Sequence, residues 1–145
     1  MLHLQGVVNT LIRGLLRTPL LSRLLGKRLM TLYVVGRKSG RRYSVPVAYM
    51  RTGGGLLVAS QFPWIRNLRS GHDVAVRLAG RRRAADVRVL AGEGDVVEHL
   101  TSMARDNHQF ARFNGIRIDR HGEPVPEDVR LAWTAGARVV VLVPH

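Results

Sequence analysis

Apolar positions at the start of the chain recur at spacings of three and four: Leu4, Val7, Val8, Leu11, Ile12, Leu15 and Leu16, with Arg13 and Arg17 at other angles of the wheel. That period predicts an amphipathic helix. Thr18-Pro19 supplies an N-cap followed by proline at the first helical position, and Gly26 stands where a C-cap belongs. A second short helix is therefore expected over Pro19 to Leu25. Asn9, Arg13 and Arg17 interrupt the apolar run, so it holds no stretch of about 18 apolar residues able to span a bilayer. It also fits a secretory signal poorly, since no small-residue cleavage site follows.

From Leu29 the texture changes to short runs rich in β-branched and aromatic residues: Leu32 to Val35, Ser44 to Arg51, Leu56 to Ala59, Val74 to Leu78, Ala84 to Leu90 and Arg138 to Val143. These predict about six strands. Lys38-Ser39-Gly40, Thr52-Gly53-Gly54-Gly55, Gly71-His72-Asp73 and Gly80-Arg81 punctuate them as turns. Connections this short suit hairpins and leave no room for crossover helices, which points to a small antiparallel barrel. Asp95 to Arg105 has helical pattern through Val96, Val97, Leu100 and Met103, whereas Asn107 to Pro126 has no clear period and is expected to be a long loop. Residues 1–145 are expected to form one domain, with residues 1–26 as its N-terminal helical segment.

Composition narrows the chemistry. The absence of cysteine excludes disulfides, thiolate metal sites and a thiol nucleophile. Basic residues outnumber acidic ones by 23 to 10, a net charge of +13 that attracts an anionic partner. Most of the cations are arginine, whose planar fork holds phosphate or carboxylate bidentately. A phosphorylated cofactor, a nucleic acid and an acidic lipid surface all satisfy that charge. The six histidines show no ligand spacing along the chain, so no metal site is expected. No Gly-x-Ser-x-Gly elbow and no obvious carboxylate pair supports hydrolysis.

Two segments carry candidate chemistry. Gly36-Arg37-Lys38-Ser39-Gly40-Arg41-Arg42 places four cations and a hydroxyl in a turn between two strands. Glycine freedom and neighbouring charge make this either an anion nest or a solvated basic hairpin tip; it lacks the glycine and hydroxyl spacing of a Walker loop. Ala59-Ser60-Gln61-Phe62-Pro63-Trp64-Ile65-Arg66-Asn67-Leu68 leaves a strand with small residues and enters what reads as one helical turn. Small residues let a flat ring approach the backbone, with Trp64 as a wall and Arg66 and Asn67 at its polar edge; the alternative makes Trp64 a core plug and Arg66 a surface residue. Arg81-Arg82-Arg83 is read as a solvated turn that extends the basic field. His108, Phe110 and Phe113 form a further candidate substrate-facing group in the expected loop.

These motifs together, with Val45-Pro46-Val47, Leu57-Val58-Ala59-Ser60, Trp64, Asn67-Leu68 and the closing Val139 to Pro144, resemble the deazaflavin-dependent nitroreductase family of actinobacteria in order and spacing. The resemblance implies an α+β, mainly β, fold: a six-to-seven-stranded antiparallel split β-barrel with N-terminal and flanking helices. It implies coenzyme F420 as cofactor and hydride transfer to a small organic acceptor, a quinone, nitro compound or enone. Arg37, Lys38 and Ser39 would meet the coenzyme's phosphate and glutamate tail, with Gly40 in the same cofactor-binding turn and Arg41, Arg42 or Arg66 as substitutes for the family's other cations. Pro46 and Val47 would line the ring pocket, and Ala59, Ser60, Trp64 and Asn67 would surround the deazaflavin. Ser60 is the candidate for hydrogen-bonding the acceptor. The chain departs from the family pattern at Tyr43, where arginine is usual, and Gln61, where lysine is usual, and no tyrosine follows Tyr49.

Three other readings stay open: a flavin mononucleotide (FMN)-binding relative, a non-catalytic carrier of the same coenzyme, and a nucleic-acid-binding barrel. The last is disfavoured by an aromatic content of 6% with no interleaved aromatic and basic strand, so no nucleic-acid partner is expected. A cytoplasmic location is expected. The N-terminal helix is read first as a cap on the barrel or a contact in a homodimer, and second as peripheral contact at the inner membrane face.

Overall fold

Residues 28–36 and 38–145 are described by a computed structural model; the helices expected within residues 1–26, and Arg37, lie outside the described residues. The strands are β1 (Leu29–Val35), β2 (Arg42–Ala48), β3 (Met50–Thr52), β4 (Gly55–Ser60), β5 (Val74–Leu78), β6 (Arg81–Leu90) and β7 (Arg138–Pro144). A 3-10 turn spans Pro63–Asn67, and three helices follow β6: α1 (Glu93–Asp106), α2 (His108–Phe113) and α3 (Pro126–Thr134). Among the described residues, no helix is long and apolar enough to cross a membrane.

All seven strands join one antiparallel sheet in the order β2-β1-β5-β6-β7-β4-β3. The hairpins β1–β2, β3–β4 and β5–β6 follow from the glycine turns; β1–β5, β6–β7 and β4–β7 are long-range. The two edge strands, β2 and β3, are separated in the chain by Tyr49 alone. Edges this close in sequence require a strongly curled sheet. The segment expected as one strand from Ser44 to Arg51 is thus one extended run whose first half pairs with β1 and whose second half pairs with β4. Tyr49 marks the changeover, its N–H donating to the Arg28 carbonyl at 3.0 Å.

Alternation along the strands separates two cores. Leu32, Val34, Val45, Val58, Val76, Val140 and Leu142 point inside the barrel, joined there by Trp64 and Ile65. Leu57, Ala59 and Val139, on the opposite face, pack with Val96, Leu100, Met103, Phe110 and Val129 of the helices. Each fully buried side chain of this size contributes roughly 1.5–3 kcal/mol on transfer from water.

The expected loop from Asn107 to Pro126 is partly helical. Asn107 caps α2 by accepting the Phe110 N–H at 3.0 Å, and Phe110 is buried in the helix-side core rather than facing a substrate. A six-residue helix is too short for periodicity to reveal. Helix α3, also unforeseen, begins at Pro126 with Glu127 and Asp128 in its first turn, where carboxylates favour the helix dipole. Asp128 accepts from the Arg117 backbone N–H and Nε, both at 2.8 Å, and from Nη2 at 3.1 Å. These bonds hold its carboxyl below the ordinary value of 3.8.

Candidate functional site

Four antiparallel pairings separate β1 from β4 in the sheet, so the two strands run in the same direction and leave the barrel at the same rim. That places both candidate segments together: the turn after β1 and the link after β4.

In the first turn, Gly36 N–H donates to the Arg41 carbonyl and Gly40 N–H to the Gly36 carbonyl, each at 2.9 Å. The Ser39 hydroxyl accepts the Arg41 N–H at 3.2 Å. These three amides are therefore used within the turn, and its attraction for an anion rests on side-chain charge and the remaining amides. A Cβ at Gly36 would lie 2.7 Å from Ser39 Oγ and displace that hydroxyl from the turn, and Gly40 is required for its left-handed φ of +67°. Lys38, Ser39, Gly40 and Arg42 are exposed.

In the second segment, Ser60 is buried and its hydroxyl accepts the Phe62 N–H at 2.9 Å. The Phe62 ring meets Phe113 at 5.7 Å, and Gln61 Nε2 donates to the Asn114 carbonyl at 3.2 Å. Both contacts tie the link to the end of α2. Trp64, 4% exposed, is buried inside the barrel. Arg66 is exposed beside Gly136, where a Cβ would approach its Nη2 to 3.0 Å. Asn67 turns the other way and donates to the Tyr43 hydroxyl on β2.

A groove of about 390 Å³ opens at this rim between β1, the start of β2, the 3-10 turn and the entrance to β5. Arg42 and Asn67 line it, one from each candidate segment, together with Tyr33, Arg69, His72 and Arg82. Val35, Leu68, Val74, Ala75 and Val87 supply apolar surface. The Arg82 guanidinium lies 4.5 Å from the centre of the Tyr33 ring, and Arg77 Nε donates to the Tyr33 hydroxyl at 3.0 Å. The tyrosine is thereby fixed between two cations.

All ten acidic residues of the chain lie at or after Asp73, and among the described residues Arg42, Arg69 and Arg82 form no ion pair with any of them. The carboxylate that lines the groove, Asp73, is engaged by His145 at 3.6 Å. With three arginines against the one carboxylate of Asp73, the groove carries an excess of positive charge beside an apolar and aromatic wall, which fits a flat molecule bearing phosphate or carboxylate.

The expected site residues divide in two. Arg42 and Asn67 line the groove, with Lys38, Ser39 and Gly40 on the adjoining turn. Pro46, Val47, Ala59, Ser60 and Trp64 are buried and do not line it, Arg66 points elsewhere, and Arg37 lies outside the described residues. Sequence reasoning missed Tyr33, Arg69, His72 and Arg82 as groove residues. Tyr33 carries the one available signal, an outward position in the alternation of β1.

The family of F420H(2)-dependent quinone reductases matches residues 14–121. The chain belongs to that family. Membership makes it an enzyme, an oxidoreductase of the F420-dependent class. Two solved structures share the fold at low identity. One is a putative pyridoxamine 5'-phosphate oxidase from Listeria innocua, with 14% identity, TM-score 0.51, and coverage of 87% of this chain and 90% of that one. The other is HutZ, the heme storage protein from Vibrio cholerae, with 13% identity, TM-score 0.51, and coverage of 88% and 89%. The likeness supports the split barrel. No curated protein matches.

Proposed function

We propose that this member of the F420H(2)-dependent quinone reductase family transfers hydride from the reduced deazaflavin to a quinone-type acceptor, and that the rim groove receives the coenzyme. The observation that carries the reading is the convergence of Arg42 and Asn67, from two separate motifs, with Arg69 and Arg82 around one groove in which none of the arginines has a carboxylate partner. Residues 1–145 are taken as one domain, with residues 1–26 as its helical segment.

In this reading Arg37, Lys38, Ser39, Gly40 and Arg42 hold the phosphate and glutamate tail, and Arg69 and Arg82 extend the same field. Asn67, anchored by Tyr43, meets the polar edge of the ring. Val47 and Trp64 belong to the same barrel core as the groove's Leu68, Val74 and Val87, and Pro46 and Ala59 would meet the ring only if it reaches beyond the groove. Arg66 serves the tail only if its side chain swings away from Gly136. When bound, the coenzyme supplies the hydride; the protein supplies position, electrostatics and exclusion of water. Ser60 accepts the Phe62 N–H and has a hydroxyl proton to donate to an acceptor oxygen as charge develops there, provided the acceptor reaches past the groove to the end of β4.

The test is titration with oxidised coenzyme F420 followed by tryptophan fluorescence, with FMN and a single-stranded oligonucleotide in parallel, then turnover of F420H2 with a soluble quinone. Selective quenching by F420 and quinone-dependent oxidation support the proposal. A preference for FMN favours the flavin-binding alternative, a preference for the oligonucleotide favours the nucleic-acid reading, and binding without turnover favours a carrier. Unchanged turnover in Ser60→Ala would remove Ser60 from the chemistry.

A further inference from the structure

Asp73 and Asp86 are the only acidic residues before Glu93, in a stretch dense with arginine, yet no arginine or lysine among the described residues pairs with either. Both turn instead to His145, whose Nε2 lies 3.2 Å from Asp86 Oδ1 and 3.6 Å from Asp73 Oδ2. The strand register explains the meeting. Val74 pairs with Ala85, so Asp73 and Asp86 stand opposite each other one step further along. Ala85 pairs with Pro144, and the His145 N–H donates to the Ala84 carbonyl at 2.9 Å. Ala85 and Val87 point into the barrel, so the intervening Asp86 projects outward, and His145 joins it there.

Two carboxylates directly opposed across strands repel, and a cation held between them relieves that repulsion. Their ligand atoms, with His145 Nε2, all lie within 4.8 Å of one another. A tetrahedral zinc with bonds of about 2.1 Å to nitrogen and oxygen holds neighbouring ligand atoms about 3.4 Å apart, close to the two separations from His145. Imidazole with two carboxylates suits zinc and its first-row neighbours, and the exposed setting leaves room for water to complete the shell.

We propose that Asp73, Asp86 and His145 form a surface site for a divalent transition cation of the zinc type, stapling the end of β7 to β6 and to the entrance of β5. Asp73 also borders the rim groove, but the cation site is defined by its own three side chains and its test does not depend on hydride transfer.

The full-length protein is titrated with zinc chloride by calorimetry, and with cobalt(II) by visible absorption, above the ordinary imidazole pKa of about 6.5. One saturable equivalent is expected, with a rise in melting temperature. Asp86→Asn and His145→Ala are each expected to weaken binding at least tenfold and to abolish the thermal shift. Both residues are exposed, so the variants should fold, which circular dichroism checks. Absence of saturable binding overturns the proposal, as does binding that survives either substitution undiminished.

Discussion

The side-chain amide of Asn67, at the end of the 3-10 turn, donates a hydrogen bond to the hydroxyl of Tyr43, the second residue of β2. It joins the two candidate segments across 24 positions of sequence. A hydrogen bond of this kind contributes roughly 1 kcal/mol net, or about a fivefold change in an equilibrium constant. Tyr43→Phe keeps the ring and removes the hydroxyl, so it should weaken F420 binding by about that factor in a fluorescence titration. An unchanged dissociation constant would mean that the tie does not position Asn67 for the ligand.

Arg42 and Arg82 approach the groove from different strands. If they bind an anion, each charge-assisted contact is worth roughly 1.5–3 kcal/mol, so Arg42→Ala and Arg82→Ala should each weaken F420 binding about tenfold or more. Both should also flatten its salt dependence. Arg130→Ala, exposed on α3, should leave the titration unchanged; equal losses in all three variants would point to bulk charge rather than a site.

Gly55 opens β4 with φ +144°, and a Cβ there would lie 2.4 Å from the Leu142 carbonyl oxygen. Backbone gives little, so Gly55→Ala should destabilise by about 3 kcal/mol through clash and strain. Its neighbour Gly54 has nothing within 4 Å of such a Cβ, and Gly54→Ala should stay within about 0.5 kcal/mol. Paired urea titrations measure the contrast, which disappears if the β3–β4 turn shifts freely.

Asp128 is held below its ordinary pKa first by the Arg117 side chain and then by the Arg117 backbone N–H. Asp119 is lowered by the backbone N–H groups of Glu123 and His121. A folded pKa below the unfolded one gives stability that is present above the unfolded value, near 3.8 for both, and is lost as pH falls through the folded values. Melting temperature should therefore decline below about pH 4. Asp128→Asn should lower it at neutral pH and shallow the acid limb; parallel curves for variant and parent would refute the assignment.

The strands were legible because alternation along an antiparallel strand is a local property, and the glycine turns were legible because they answer to local φ. Helix α1 showed its period for the same reason. Helix α2 did not, being six residues long. Trp64 shows the limit on the site side. Its spacing fits a ring wall and a core plug equally, and only the curl of the sheet over the 3-10 turn puts it among Leu32, Val58 and Ile65.

Sequence alone determined the all-antiparallel class, the excess of arginine, the absence of thiol chemistry and, through several segments in their order and spacing, the family. Tertiary structure decided which residues share a surface. The reversal of direction at each strand pairing brings the turn after β1 and the link after β4 to one rim, and the offset between β5, β6 and β7 carries Asp73, Asp86 and His145 to one face. Such meetings depend on long-range register, which is set by the fit of whole faces into a core and leaves no periodic trace at the residues it brings together.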